Sequence, residues 1–187
     1  MKTRISLLIL LISSFSNSIQ AQNNTRGLFL TADDFQKKNI THASTHTRIK
    51  LHEFFNKEII EVKTKDSTYT YFKKDIFGYT DPEGNVYRIF NGKIYTIVNP
   101  YEPILIYKIS DGPPPKGQTK SYSYYFSKEA SSTIFPLAMN NILNEFNDHK
   151  EFQKVIEIHF GNSNSLLEYD YIHKMYKINR LFELSKS

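Results

Sequence analysis

Three of the six histidines of the chain fall close together, at His42, His46 and His52, in the stretch THASTHTRIKLHE. His42 and His46 are four residues apart, a spacing that puts two imidazoles on one face of a helix, as in zinc proteases. Threonine and serine fill much of the stretch, however, and they are poor helix formers. In a strand the same four residues span about 13 Å, whereas a zinc–nitrogen bond is about 2 Å long. The sequence therefore predicts no metal site and no cofactor. His42 and His46 stay as weak candidates if a curled loop brings them together, and the ordinary interpretation is a polar loop that enters a strand.

The motifs that carry common enzyme chemistry are missing from the sequence. There is no cysteine, which excludes thiolate zinc sites and cysteine nucleophiles. There is no G-x-S-x-G elbow, no P-loop and no G-x-G-x-x-G. Carboxylates such as Glu53 and Asp170 are present, but sequence alone cannot place two of them across a glycosidic bond. A non-enzymatic role is favoured, and a secreted hydrolase whose residues meet only in the fold stays as the alternative.

The best local prediction is a β-hairpin in VYRIFNGKIYTIV. Asn91 and Gly92 are the preferred pair for a two-residue type I′ turn, because both central positions need a positive φ. This turn sets the register of the two strands. The expected cross-strand pairs are Phe90 with Lys93, Ile89 with Ile94, Arg88 with Tyr95 and Tyr87 with Thr96.

The hairpin has two faces of different character. We expect the core on the face that carries Tyr87, Ile89, Ile94, Thr96 and Val98. The opposite face is half apolar and half cationic, and Arg88 opposite Tyr95 could stack as a cation–aromatic pair. Arg88, Phe90 and Tyr95 are therefore the candidate binding residues. The alternative is that helices cover this face and that Arg88 reaches out along its stem.

Around this hairpin the pattern predicts an α+β fold. A first strand is expected at Gly27–Thr31, and the alternation from Arg48 to Ile109 predicts an antiparallel β-meander of about five to seven strands. The segment DGPPPKGQTK, residues 111–120, reads as an exposed loop rich in proline and glycine, followed by another strand. A helix-rich C-terminal part packed on the sheet completes a single domain over residues 22–187.

Two helices are expected where the apolar period changes to three and four. Thr133 is the expected cap of the first helix, with Pro136 in its first turn, and Asp148 is the expected cap of the second, which Gly161 ends. VIEIHF within the second could equally be a strand. The last nineteen residues before the C-terminal SKS predict one or two further helical pieces.

The N-terminus has the layout of a secretory signal peptide. Lys2 and Arg4 precede an apolar run, ISLLILLI, and a polar stretch ends at Ala21. The run is too short to span a bilayer, which needs about 20 residues. We expect residues 1–21 to be removed, with cleavage after Ser18 as the alternative. The mature chain then carries no transmembrane segment.

The net charge and the distribution of charged residues limit the classes of partner that the sequence predicts. The formal net charge of +5 falls to +3 without Lys2 and Arg4, and no run of Lys or Arg exceeds two residues. The remaining charges are mixed in sign, which argues against a nucleic-acid partner. A protein, a peptide or a glycan is the expected partner, and the sequence does not distinguish among them.

Several segments together resemble a group of bacterial proteins. The chain carries QAQ at the end of the leader, then GLFLTADDF, FGYTDPEGNVYRIF and finally YKINRLFEL. In this it resembles small secreted proteins of uncharacterised function from Bacteroidota-type bacteria. The resemblance implies export to the periplasm or cell surface and carries no functional residues with it. The expected function is that of an exported periplasmic or cell-surface binding protein.

Overall fold

The computed structural model describes residues 25–52, 58–161 and 165–186. The expected leader, residues 1–21, lies outside the described residues, and so does Glu53. Over the described range the chain forms an α+β fold of antiparallel sheets with four helices, three of them in the C-terminal part. In chain order the strands are β1 (Arg26–Phe29), β2 (Thr41–Ser44), β3 (Arg48–Lys50), β4 (Ile59–Lys63), β5 (Thr68–Phe72), β6 (Gly78–Thr80), β7 (Val86–Phe90), β8 (Lys93–Ile97), β9 (Leu105–Ser110), β10 (Tyr122–Ser127), β11 (Phe135–Pro136), β12 (Tyr169–Asp170) and β13 (Met175–Tyr176).

The main sheet has eight strands, more than the five to seven expected. Its order is β11-β10-β9-β8-β7-β6-β1-β2, and every pairing is antiparallel. Strands β6 to β10 form a meander, whereas β3, β4 and β5, which fall within the meander predicted over Arg48 to Ile109, form a separate three-stranded sheet. The sequence does not predict the edge strands β2 and β11, and each pairs over only a few residues, which leaves little alternation in a sequence.

The hairpin of β7 and β8 forms as the sequence predicts. Asn91 and Gly92 have φ angles of 50° and 73°, as a type I′ turn requires. All four predicted cross-strand pairs are present, including Arg88 with Tyr95 and Tyr87 with Thr96. Local turn chemistry was sufficient here because a two-residue turn leaves no freedom in the register.

A short first helix, α1 (Ala32–Gln36), follows β1. Thr31 begins it with a capping box, in which the Thr31 hydroxyl accepts from the Asp34 amide and the Asp34 carboxylate accepts from the Thr31 amide. The Thr31 hydroxyl, the Asn39 side chain and the Thr31 amide all donate to the Asp34 carboxylate and lower its pKa. Phe35 of this helix is buried.

The C-terminal helices differ in part from the prediction. Helix α2 (Met139–Glu145) begins after Ala138, so the expected cap at Thr133 is wrong. Phe135–Pro136 instead form β11, at the edge of the main sheet and paired with β10. Proline lacks an amide proton and is tolerated at a sheet edge, which allows this use of a residue that also suits a first helical turn.

Helix α3 (Lys150–Phe160) is preceded by His149, and the expected cap at Asp148 is wrong. The Asp148 carboxylate instead accepts from Lys128 at 2.9 Å, and this bond lowers its pKa. VIEIHF belongs to the helix, and Gly161 ends it, as expected. The final stretch combines the β12–β13 hairpin with α4 (Lys177–Leu184), so only part of it is helical.

Three clusters of buried apolar residues form the core. The C-terminal helices pack on Ile104, Ile106 and Phe126 of the main sheet. The small sheet β3-β4-β5 packs on Leu28, Tyr79 and Ile89 through its buried residues Ile60 and Val62. On the opposite face of the main sheet, Phe35 of α1 and the segment 130–134 cover the remaining apolar residues.

The assignment of the hairpin's core face is corrected by these contacts. The face described as half apolar and half cationic carries Val86, Arg88, Tyr95 and Ile97, all buried, so it is covered as the alternative predicted, although Arg88 does not reach out to solvent. On the face expected to be the core, Ile89 is buried while its neighbours Tyr87 and Thr96 are only half-buried. The presence of an arginine suggested exposure, but its polar groups find partners inside the fold.

Candidate functional site

Two of the predicted binding residues, Arg88 and Tyr95, lie in the interior, on what we call the Arg88 face (Arg88, Tyr95 and Tyr107). Arg88 is 4% exposed. Its guanidinium donates to the Tyr107 hydroxyl at 2.8 Å, to the Ser127 hydroxyl at 3.4 Å and to the Ser132 carbonyl at 2.7 Å. These neutral acceptors satisfy the buried cation and fasten the segment after β10 to the sheet.

Aromatic rings surround the same guanidinium. Its carbon lies 5.2 Å from the ring centre of Phe77, 5.0 Å from that of Phe90 and 5.7 Å from that of Tyr107. Tyr95 is 6% exposed and meets Tyr107 edge to face at 5.9 Å. Burial raises the pKa of both Tyr95 and Tyr107. The structure thus brings Arg88 and the half-buried Phe90 together and bonds Arg88 to the segment 130–134. Their role in binding stays a prediction.

The histidine stretch is divided between a strand and a turn. His42 lies in β2 with a positive φ of 57°; its Nε2 is 2.7 Å from the Tyr71 hydroxyl and its ring stacks on Tyr69 at 4.0 Å. His46 lies in the following turn, exposed. His52 pairs with Glu61 at 3.2 Å. Within the described ranges no group of three histidine or carboxylate side chains is arranged to hold a metal ion.

The C-terminal histidines each contact a side chain nearby. His159 lies 2.8 Å from the Glu168 carboxylate and His173 lies 2.8 Å from that of Asp170. Hydrogen bonds from His173 hold the pKa of Asp170 below its usual range. His149 packs against the rings of Phe146 and Phe182. These contacts connect the loops and helices of the C-terminal part.

A concave site lies on the other face of the main sheet, between the areas covered by the small sheet and by the helices. We call it the trough. Its volume is about 600 Å³, within the range of about 300–1,000 Å³ typical of small-molecule sites. Its floor follows one row across the strands, because Tyr79 pairs with Tyr87, Tyr87 with Thr96 and Thr96 with Lys108. The lining comprises Tyr79, Asp81, Asn85, Tyr87, Ile94, Thr96, Lys108, Ile109, Ser110, Lys120 and Tyr122.

One end of the trough is a rigid tyrosine stack closed by a carboxylate. The rings of Tyr79 and Tyr87 stack with 4.7 Å between centres and an interplanar angle of 12°. The Tyr87 hydroxyl donates to Asp81 at 2.9 Å, and burial together with this carboxylate raises the pKa of Tyr87 to about 12. Asp81 also accepts from the amides of Glu83 and Asn85 and from the Asn85 side chain. The Asp81 carboxylate thus accepts four hydrogen bonds from within the chain.

The other end of the trough is cationic and open. The Lys108 ammonium lies 5.0 Å from the ring centre of Tyr122, and the Lys120 ammonium lies 5.6 Å from it. Tyr122 is 37% exposed. Neither lysine forms an ion pair with a carboxylate in the part of the chain that the structure describes. Two unpaired charges beside one accessible ring can attract an anion.

The loop between β9 and β10 positions this cationic end. Residues 111–121 are nearly all exposed, and the loop closes where the Asp111 amide donates to the Ser121 carbonyl at 3.2 Å. The Ser123 hydroxyl donates to the Asp111 carboxylate at 2.5 Å and lowers its pKa. Lys120 is therefore held next to the start of β10, beside Tyr122.

A second, smaller cavity of about 390 Å³ lies beside α1. Lys38 lies over the ring of Tyr101 at 4.0 Å, and Tyr101 is 70% exposed. This site has one such cation–aromatic contact, whereas the trough places two ammonium groups at one ring and adds a stacked tyrosine pair. The trough is the stronger candidate.

No protein-family model, curated protein or solved structure matches the chain. Within the described residues, no helix combines the length and the apolar character needed to cross a bilayer.

Proposed function

We propose that the protein is an exported, non-enzymatic binding protein that holds its ligand in the trough. The observation that carries this proposal is the pair of unpaired ammonium groups, Lys108 and Lys120, at the accessible ring of Tyr122. Unpaired charges and an exposed aromatic ring beside a concave surface are features of a recognition site.

Export is the part of the proposal that the N-terminal residues support. The basic segment, the apolar run and the small residue Ala21 fit a signal peptide, and the resemblance to secreted proteins points the same way. These residues lie outside the described range. Sequencing the N-terminus of protein recovered from the periplasm or the medium tests it, with Gln22 expected first and an intact Met1 in the cytoplasm as the contrary result.

Binding is favoured over hydrolysis by the chemistry of the trough lining. Asp81 is the only carboxylate among its described residues, and glycoside hydrolysis in its common form uses two. Asp81 also accepts hydrogen bonds from four donors within the chain, so its oxygens are already engaged in holding the fold. The alternative of a secreted hydrolase would need a site elsewhere in the chain.

A ligand screen with a blocking variant tests the proposal. The full chain, expressed with its own leader, is screened by NMR against a library of glycans, peptides and small anions. Thr96→Trp places an indole in the centre of the trough, and Thr70→Trp places one on the exposed strand β5 as the matched control. We expect a ligand that shifts the amide signals of Thr96, Ser110 and Tyr122 and that Thr96→Trp excludes. No such ligand in the library, or equal binding to Thr96→Trp, would overturn the proposal.

A further inference from the structure

We infer that the ligand of the trough is an acidic oligosaccharide, bound with its carboxylate or sulfate groups at Lys108 and Lys120 and its sugar rings along the tyrosines. The inference rests on the proposed function and adds the class of ligand. Three features of the trough carry it: its charge, its hydroxyl groups and its position on a sheet face.

The charge of the trough favours an anion. Lys108 and Lys120 both reach the ring of Tyr122, so their ammonium groups are no further apart than the sum of 5.0 and 5.6 Å. Two like charges this close repel each other, and an anion between them would remove that repulsion. The one carboxylate at the opposite end, Asp81, already accepts from Tyr87 and three other donors. A ligand with negative charge at the lysine end therefore fits the trough best.

The floor of the trough favours a ring that carries hydroxyl groups. Thr96 offers a hydroxyl that can both donate and accept, whereas the Ser110 hydroxyl donates to the Gly112 carbonyl at 3.2 Å and can accept a further hydrogen bond. The ring of Tyr122 is accessible, and the half-buried Tyr87, which stacks on the buried Tyr79, presents a second aromatic surface. Sugar rings have C–H faces that pack on aromatic rings and hydroxyl groups at their edges. The trough carries aromatic rings and hydroxyl groups along one surface, so it can contact both the C–H faces and the hydroxyl edges of a sugar.

The position of the trough argues against a peptide and a nucleotide. A peptide that binds a sheet usually adds a strand to an edge, where the backbone amides and carbonyls are unpaired. The floor here is the face of β6 to β9, whose backbone groups are already paired in the ladder. Phosphates of nucleotides are usually held by backbone amides at helix N-termini or nests. The trough lining lies on strands and loops, and recognition must come from side chains.

The test compares two acidic trisaccharides with their neutral forms by calorimetric titration. One is 1,4-linked galacturonic acid and its methyl ester, which keeps the rings and removes the charge. The other is a sulfated galactose trimer and its unsulfated form, which tests sulfate in place of carboxylate. Each is titrated into the full chain and into the double variant Lys108→Gln, Lys120→Gln. Lys116→Gln in the same loop and Lys38→Gln at Tyr101 are the matched controls, since both remove one charge outside the trough.

We expect at least one acidic trimer to bind at least tenfold more tightly than its neutral form. The double variant should lose at least tenfold in affinity, whereas Lys116→Gln and Lys38→Gln should change it less than twofold. Raising the salt concentration should weaken binding to the wild type more than to the double variant, because screening acts on the lysine charges. Tyr122→Leu should weaken the acidic and the neutral trimer alike.

Other outcomes overturn the inference and separate it from the proposed function. Equal affinity for the acidic and neutral trimers would refute the role of charge. Binding that the double variant keeps would place the saccharide elsewhere. If neither acidic trimer binds but another ligand of the screen is excluded by Thr96→Trp, the ligand class is wrong and the trough is still a binding site. If nothing is excluded by Thr96→Trp, the proposed function fails as well.

Discussion

The Arg88 face and the trough both place cations beside tyrosines, and they do so with opposite results. Arg88 is buried and donates to Tyr107, to Ser127 and to the carbonyl of Ser132. Lys108 and Lys120 lie at the accessible ring of Tyr122 without a carboxylate partner among the described residues. A cation near an aromatic ring therefore stabilises the fold where acceptors of the chain receive its hydrogen bonds. Where no such acceptor is present, the cation is available to bind a ligand.

The largest expected effect is that of Arg88→Ala on stability. The change removes three hydrogen bonds and the ring contacts, and it leaves a cavity under the segment 130–134. We expect the free energy of unfolding to fall by about 3–5 kcal/mol. Urea unfolding followed by circular dichroism measures it, with Lys108→Ala as the control, expected within about 0.5 kcal/mol of the wild type. A similar small change for both variants would show that the two sites do not differ.

A half-buried polar site, at Glu102, is expected to stabilise the fold as the Arg88 face does. Its carboxylate accepts from the side chains of Asn99 and Asn179 and from the amide of Tyr176, which precedes α4. Glu102→Ala leaves these donors without that acceptor and should cost about 2 kcal/mol, whereas the exposed Glu129→Ala should cost less than about 0.5 kcal/mol. Equal losses in the two variants would contradict a structural role for Glu102.

The same site predicts a pH dependence. Burial raises the pKa of Glu102 above its ordinary value of 4.5, so the folded state binds the proton more tightly than the unfolded state. Its contribution is then fully present below pH 4.5 and is lost as the pH rises through the raised pKa. Glu102→Gln keeps a neutral side chain, so its stability relative to the wild type should increase from pH 4 to pH 7. Urea unfolding at both values checks this, and a relative decrease would contradict it.

The contrast between the two sites also explains what the sequence could predict. The hairpin and its register followed from Asn91 and Gly92, because a two-residue turn determines the pairing locally. The burial of Arg88 did not follow, because two of its acceptors, Ser127 and Ser132, lie about forty residues further along the chain. Lys108 and Tyr122 could be assigned to strands, but a loop of eleven residues separates them and leaves their register open. Only the fold shows that they meet.

A smaller effect is expected at the closed end of the trough, for Tyr87→Phe. The change removes one of the four donors to Asp81 and keeps the stack on Tyr79, so it should cost about 1 kcal/mol. The pKa of Tyr87 is raised to about 12, so the wild type should lose stability as the pH rises from 10 to 12. The variant should lose less over that window. Urea unfolding at pH 8 and 11 tests both points, and parallel losses in the two proteins would contradict the second.

The smallest effect on stability is expected where the effect on binding is largest. Lys108→Gln with Lys120→Gln removes two ammonium groups that lie near one ring and pair with no carboxylate of the described residues. The loss of two cation–aromatic contacts and the relief of their mutual repulsion oppose each other, so the free energy of unfolding should change by less than about 0.5 kcal/mol. Thermal unfolding measured beside the saccharide titrations decides the comparison. Replacing a residue that stabilises the fold lowers the free energy of unfolding, as we expect at Arg88. Replacing the lysines of the trough should weaken binding and leave stability unchanged. A fall of more than about 2 kcal/mol in the free energy of unfolding of the double variant would instead show that the lysines stabilise the fold.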